Sequence, residues 1–130
     1  MSALPISVSS ASSPAAAAAA AAADPWIDIC AVDDVVPNTG VCALVAGEHV
    51  AVFRVGAGEF FAIGNVDPKS GASVLSRGLL GSLGDRLVVA SPLYKNHFDL
   101  RTGACLEMPE LSVRTYPVRT AAGRVCVAAG

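Results

Sequence analysis

From residue 26 onward, apolar residues occur in short runs separated by Gly, Pro, Asn and Asp. This pattern is typical of β-strands joined by tight turns. The runs predict strands over residues 26–32, 41–46, 49–55, 59–63, 86–90, 97–100, 104–106, 113–118 and 124–127. Because no amphipathic helix of useful length follows residue 25, the predicted fold class is all-β.

Two segments need a separate interpretation. The run from Val50 to Phe53 is apolar at every position, which predicts a strand covered on both faces. The segment Gly78–Gly84 is rich in glycine and is interpreted as a loop. Its glycines lack the G-x-G-x-x-G spacing of a dinucleotide-binding turn, so no nucleotide site is predicted there.

The first 24 residues differ from the rest of the chain in composition. They are rich in Ala and Ser and include nine consecutive alanines, Ala15–Ala23. An isolated helix of this length is marginal in water and too short to cross a membrane. The first basic residue is Arg54, so the positively charged start of a secretory signal is missing. We expect a disordered tail over 1–24, one domain over 25–130, a cytoplasmic location and no membrane partner.

Charge and cysteine content exclude further classes of protein. The chain has 9 basic and 11 acidic residues, a net charge of −2 and no basic cluster, so no nucleic-acid partner is predicted. Its 4 cysteines, at positions 30, 42, 105 and 126, include no C-x-x-C pair. Each cysteine lies in an apolar run, which predicts reduced thiols buried as small hydrophobic side chains.

Two short motifs carry most of the information about function. They are Asn65-Val-Asp-Pro68 and Ser91-Pro-Leu-Tyr-Lys-Asn-His-Phe-Asp99. They resemble the two cluster-binding loops of a Rieske iron–sulfur domain, which run Cys-x-His and Cys-Pro-x-His-Gly-x-x-Phe-Asp. The positions of the four cluster ligands are occupied here by Asn65, Asp67, Ser91 and Tyr94. Because a Rieske cluster needs two thiolates and two imidazoles, the resemblance implies both loops without a metal cluster.

Three further segments extend this resemblance. They are Trp26–Cys30, Thr39–Leu44 and Val74–Gly78. Together with the two motifs, they make residues 25 to 127 similar to the small-subunit family of assimilatory NAD(P)H-dependent nitrite reductases. The resemblance implies a Rieske-like, iron–sulfur-protein-type antiparallel β-sandwich with two loops at its tip.

The resemblance also implies a function and a partner. In that family FAD, sirohaem and a [4Fe-4S] centre belong to the large subunit, which reduces nitrite to ammonium in nitrate assimilation. We therefore expect an oxidoreductase subunit that has no cofactor, metal or catalytic residue of its own. The large subunit is its expected partner, with Lys95 and His97 at the interface. The polar groups of Asn65, Asp67, Ser91 and Tyr94 occupy the ligand positions, and side-chain and backbone hydrogen bonds between these two segments, at least one in number, are expected to hold the loops together in place of the metal.

Other interpretations stay open at this point. The chain could be an electron carrier with a true Rieske cluster, or a stand-alone interaction module with another partner. A catalytic role for Asp67 lacks a second carboxylate or a base nearby in the sequence. Ser91, Tyr94 and His97 would form a nucleophilic triad only if the fold brought them into hydrogen-bonding contact.

Overall fold

The structure, a computed structural model, describes residues 26–129, so the tail predicted over residues 1–24 lies outside it. The strands are β1 Trp26–Ala31, β2 Thr39–Val45, β3 Glu48–Val55, β4 Glu59–Gly64, β5 Leu79–Leu83, β6 Arg86–Ala90, β7 His97–Asp99, β8 Thr115–Tyr116, β9 Val118–Ala121 and β10 Arg124–Ala128. Three short 3-10 helices cover Val32–Asp34, Leu75–Arg77 and Pro109–Leu111. Between residues 26 and 129 no helix has the length and hydrophobicity needed to cross a membrane.

The strands form three sheets. The terminal sheet has the order β1-β10-β9, the main sheet β2-β3-β4-β8, and the small sheet β5-β6-β7. Every paired strand in them is antiparallel to its neighbour. The predicted all-β, antiparallel class is therefore confirmed.

Strand β3 is the centre of the fold. All four residues from Val50 to Phe53 are fully buried, as their unbroken apolar run predicts. Val50 and Val52 pack in a cluster that includes the terminal sheet, whereas Ala51 and Phe53 pack in a second cluster that includes the small sheet. Each face of the main sheet is thus covered by one of the other sheets, which makes three layers.

The prediction of a loop over Gly78–Gly84 is wrong. Leu79–Leu83 forms strand β5, which pairs with β6 through a turn at Gly84 and Asp85. Gly78 is required where β5 begins, because a Cβ there would lie 2.3 Å from the carbonyl oxygen of Ala90. Strand β5 is an edge of the small sheet and most of its residues are exposed, so its pattern lacks the regular alternation of a half-buried strand.

Two other strand predictions need correction. Residues 104–106 do not form a strand, and only a single bridge joins Cys105 to Phe98. The strand predicted over 113–118 is instead divided into β8 and β9 at Pro117. Proline has no backbone N–H to donate, so a regular ladder cannot continue through this residue.

The predicted burial of the cysteines holds only in part. Cys105 is buried, Cys30 and Cys126 are partly buried, and Cys42 is exposed. Cys42 lies on β2, which is an edge strand of the main sheet, and an apolar run on such a strand does not ensure burial. None of the four cysteines forms a disulfide within residues 26–129, and burial together with the negative charge of Asp34 raises the pKa of Cys30.

Gly103 provides a test of how tightly the loop before β8 packs. Its φ is +78°, and a Cβ would lie 2.0 Å from the carbonyl oxygen of Val113. We predict that Gly103→Ala lowers the free energy of unfolding by about 2–5 kcal/mol, because backbone strain and steric overlap add. Gly123, with φ +77° and no atom within 4 Å of its Cβ position, is the matched control.

Gly123→Ala should lower the free energy of unfolding by only about 1–2 kcal/mol, because the backbone strain is present there without the steric overlap. Urea denaturation of both variants measures the difference. Equal losses at the two positions would contradict the packing described here.

Candidate functional site

Two loops meet at one end of the molecule, which we call the tip. The first tip loop, residues 65–73, follows β4 and is closed by a bridge between Val66 and Ser73. The second tip loop, residues 91–96, connects β6 to β7. It is closed by hydrogen bonds from the N–H of Ser91 to the carbonyl of Asn96 (2.8 Å) and from the N–H of Lys95 to the carbonyl of Ser91 (3.0 Å).

A buried hydrogen bond joins the two tip loops. The Ser91 hydroxyl donates to Oδ2 of Asp67 over 2.5 Å, and both residues are fully buried. The backbone N–H of Lys69 donates to the other carboxylate oxygen, Oδ1, over 2.9 Å. Both oxygens of Asp67 therefore have a donor, as burial of a charged group requires. The predicted hydrogen bond between the loops is confirmed at this pair.

Asn65 attaches the first tip loop to the main sheet. It is buried, and its Nδ2 donates to Oγ of Ser73 (2.7 Å) and to Sγ of Cys42 (3.3 Å). Its Oδ1 accepts the backbone N–H of Ser76 over 2.6 Å. Its own backbone N–H donates to the carbonyl of His49 (2.9 Å). These bonds attach the first tip loop to β2, β3 and the following 3-10 helix, whereas the bond between the two loops is made by Asp67 and Ser91.

Tyr94 also does not take part in the buried contact. Its ring is half-exposed and lies under Nζ of Lys69, 4.9 Å from the ring centroid. At an exposed site such a cation–π contact stabilises by about 0.5–1 kcal/mol. A hydrogen bond to a charged acceptor contributes about 1.5–3 kcal/mol. The Asp67–Ser91 bond is therefore the main link between the loops, and the Lys69–Tyr94 contact is secondary.

The side chains at the four ligand positions do not fit a [2Fe-2S] cluster. They offer an amide, a carboxylate, a hydroxyl and a phenol, whereas iron–sulfur clusters are held by thiolates or, in Rieske centres, also by imidazoles. Asp67 and Ser91 are hydrogen-bonded to each other, and the Asn65 side chain is hydrogen-bonded to Ser73 and Ser76. Across residues 26–129 no group of three or more His, Cys, Asp or Glu side chains is arranged to hold a metal ion.

His97 is bound to a residue that the sequence gave no reason to select. Its backbone N–H donates to Oε1 of Glu107 (2.8 Å), and its Nδ1 lies 2.6 Å from Oε2 of the same carboxylate. The backbone bond makes the largest contribution to lowering the pKa of Glu107, slight burial opposes it, and the ring contact adds to it. The stabilisation from this pair is present above the unfolded-state pKa of Glu107 and is lost as pH falls through the folded-state value.

The nucleophilic triad considered above is not assembled. The Ser91 hydroxyl donates to Asp67, and the His97 ring contacts Glu107. The Tyr94 ring is half-exposed and contacts Lys69 of the first tip loop. The His97 ring therefore does not receive the Ser91 proton, and Asp67 is buried as an acceptor of two hydrogen bonds.

Comparison with known proteins identifies relatives of the whole domain. Residues 25–128 match the family described as a Rieske-like [2Fe-2S] domain. The nitrite reductase (NADH) small subunit of Salmonella typhimurium is 50% identical over 101 residues, which is 77% of this chain and 94% of that protein. A crystal structure of an NADH-dependent nitrite reductase small subunit from Mycobacterium tuberculosis has a TM-score of 0.78 and 46% identity, and the match covers 81% of this chain and 95% of that one.

A larger protein also contains a segment similar to this chain. The nitrite reductase [NAD(P)H] large subunit of Klebsiella oxytoca is 41% identical over 103 residues. That match covers 79% of this chain but only 11% of the Klebsiella protein.

The energetic link between the tip loops can be measured by a double-mutant cycle on Asp67 and Ser91. We predict that Ser91→Ala lowers the free energy of unfolding by about 1.5–3 kcal/mol, because it leaves a buried carboxylate oxygen without its hydroxyl donor. Asp67→Ala should lose at least as much. The double variant should be less destabilised than the sum of the two by at least about 1 kcal/mol.

Ser82→Ala, on the exposed edge strand β5, is the control and should change stability by no more than about 0.5 kcal/mol. Urea denaturation followed by circular dichroism gives all four values. Strictly additive losses at Asp67 and Ser91 would show that the bond does not link the loops energetically.

Proposed function

The chain belongs to the Rieske-like family and, within it, to the nitrite reductase small subunits, and we propose that it supports nitrite reduction without a cofactor of its own. It acts together with a large subunit that binds the reduced nicotinamide and nitrite. On this proposal the chain contributes its shape and surface to the enzyme, and no catalytic group.

The observation that carries the cofactor-free role is the buried Asp67–Ser91 hydrogen bond. In a Rieske domain the corresponding loops are joined through the metal cluster, to which each contributes ligands. Here the loops are joined by two protein side chains, so they can keep their arrangement with no iron between them. A role as a Rieske electron carrier is not supported, because the side chains at the ligand positions do not fit the cluster.

The chemistry belongs to the large subunit on this proposal. FAD, sirohaem and a [4Fe-4S] centre are expected there, and they would pass six electrons from NADH or NADPH to nitrite to give ammonium. The Klebsiella large subunit supports a close association, because a segment 41% identical to this chain is part of the same polypeptide. A stand-alone module with an unrelated partner has no comparable observation in its favour.

The tip is the proposed face toward the large subunit, with Lys95 and His97 at the interface. Lys95 is exposed at the end of the second tip loop, and His97 begins β7 directly after that loop. The buried Asp67–Ser91 bond beneath them limits the motion of both loops. A pre-ordered loop loses less conformational entropy when it binds, which favours this end of the molecule as a docking face.

Activity measurements on separately purified subunits test this function. We predict that the chain alone shows no nitrite-dependent oxidation of NADH or NADPH. It should form a stable complex with the large subunit of the same organism, and the complex should reduce nitrite to ammonium. Enzyme-like turnover by the isolated chain, or its failure to bind the large subunit, would contradict the proposal.

A further inference from the structure

Apolar side chains are exposed unevenly over the described part of the chain. The large ones that are exposed are Val36, Leu44, Val66, Leu79, Leu83, Leu93, Tyr94 and Met108. Of these, Val66 belongs to the first tip loop, and Leu93 and Tyr94 to the second. Single exposed apolar residues are ordinary, but several around one pair of loops mark an interaction surface.

Strand pairing places Leu79 beside this group. Leu79 of β5 is opposite Ala90 of β6, and Ala90 is opposite His97 of β7. Residues directly opposite one another in antiparallel strands lie on the same face of the sheet. Ala90 immediately precedes the second tip loop and His97 immediately follows it, so Leu79 lies in the row of the small sheet that adjoins the tip. Its side chain is 80% exposed.

Two lysines of the tip have no acidic side chain paired with them. Lys69 and Lys95 are exposed, and neither forms a salt bridge within residues 26–129. The nearby carboxylates are already bonded, Asp67 to Ser91 and Glu107 to His97. Two ammonium groups therefore lie next to exposed apolar side chains without an acidic neighbour of their own.

Lys95 occupies a strained backbone conformation. Its φ is +63°, in the left-handed region, and it aligns with the glycine of the Rieske loop motif. A side chain in this region costs roughly 1–2 kcal/mol relative to glycine. Ala46 and Ala122 adopt the same conformation at hairpin turns, and such strain is also found at binding sites. Binding is the role that an exposed lysine at the tip can perform.

We propose that Leu79, Leu93 and Tyr94, flanked by Lys69 and Lys95, form one docking surface, and that the large subunit meets it with an apolar pocket bordered by carboxylates. This inference rests on the proposed function and deepens it. The apolar side chains supply the buried centre of the interface, with Tyr94 as the aromatic anchor. The two lysines at its margin accelerate association with an acidic surface.

Leu83 provides a matched control for Leu79. Both are exposed leucines on β5, and their even spacing places them on the same face of the strand. Leu83 is 45% exposed and pairs with Arg86 at the turn, roughly 13 Å from Leu79 along the strand. If the large subunit binds the tip, Leu79 is needed for binding and Leu83 is not. If the large subunit instead adds a strand along the whole edge of β5, both leucines are needed.

The experiment measures binding of the full chain and its variants to the purified large subunit by surface plasmon resonance. Leu79→Ser and Tyr94→Ser should each raise Kd at least about tenfold, equivalent to about 1.4 kcal/mol. Leu83→Ser should change Kd less than about twofold. Thermal unfolding checks that every variant is folded, which the exposure of these side chains favours.

Lys95 is tested by two substitutions. Lys95→Glu should slow association several-fold at low salt, and the difference should diminish as salt rises. Lys95→Gly should also slow association while raising the melting temperature, because it removes the charge and the backbone strain together. Arg119→Glu, on β9 of the terminal sheet, makes the same charge change as Lys95→Glu and should leave the association rate unchanged.

The outcomes separate this inference from the proposed function. If the unaltered chain does not bind the large subunit, the proposed function fails and the docking surface fails with it. If the unaltered chain binds, and the Leu79→Ser and Tyr94→Ser variants bind as tightly as the unaltered chain, the docking surface alone is overturned. Equal weakening by Leu83→Ser and Leu79→Ser also overturns it, because the edge of β5 would then be the contact.

Discussion

The arrangement of the tip depends on one buried carboxylate. Asp67 is fully shielded from solvent, and burying a charge without partners is strongly unfavourable. It is tolerated because one oxygen accepts the Ser91 hydroxyl and the other accepts the backbone N–H of Lys69. Moving the loops apart would break the first of these bonds, so the position of one loop determines the position of the other. Two oxygen side chains thus maintain a geometry that metal ligands maintain in Rieske domains.

The rest of the tip is organised around that bond. Asn65 holds the first loop against the main sheet, and the second loop is closed by its own backbone bonds. Below them, Leu75 and Phe98 are part of the buried cluster that covers one face of β3. Because the hydrogen bonds and the apolar packing support the same geometry, the exposed residues above them form a fixed surface. On the proposed function, that fixed surface is what the chain offers its partner.

Much of the fold follows from the local sequence pattern, and the predictions that were wrong have physical reasons. The runs Val50–Phe53 and Leu87–Ala90 are unbroken and apolar, and the strands that contain them are present as predicted. Strand β5 was missed because an exposed edge strand does not alternate between polar and apolar residues. The loop-to-loop bond at Asp67 and Ser91 was predictable, because the resemblance places ligand positions of one site in the two loops. The contacts of Asn65 depend on the direction of its side chain, which the local sequence pattern does not encode. The Glu107–His97 pair joins residues ten positions apart, which that pattern does not encode either.

The central claim is that protein side chains, and not a metal cluster, hold the two tip loops together. Its most direct test is anaerobic reconstitution of the purified chain with iron and sulfide, with a Rieske ferredoxin treated in parallel as the positive control. Our account predicts no stoichiometric iron, no visible charge-transfer absorption and a melting temperature equal to that of the untreated chain. A bound [2Fe-2S] cluster that raises the melting temperature would contradict it.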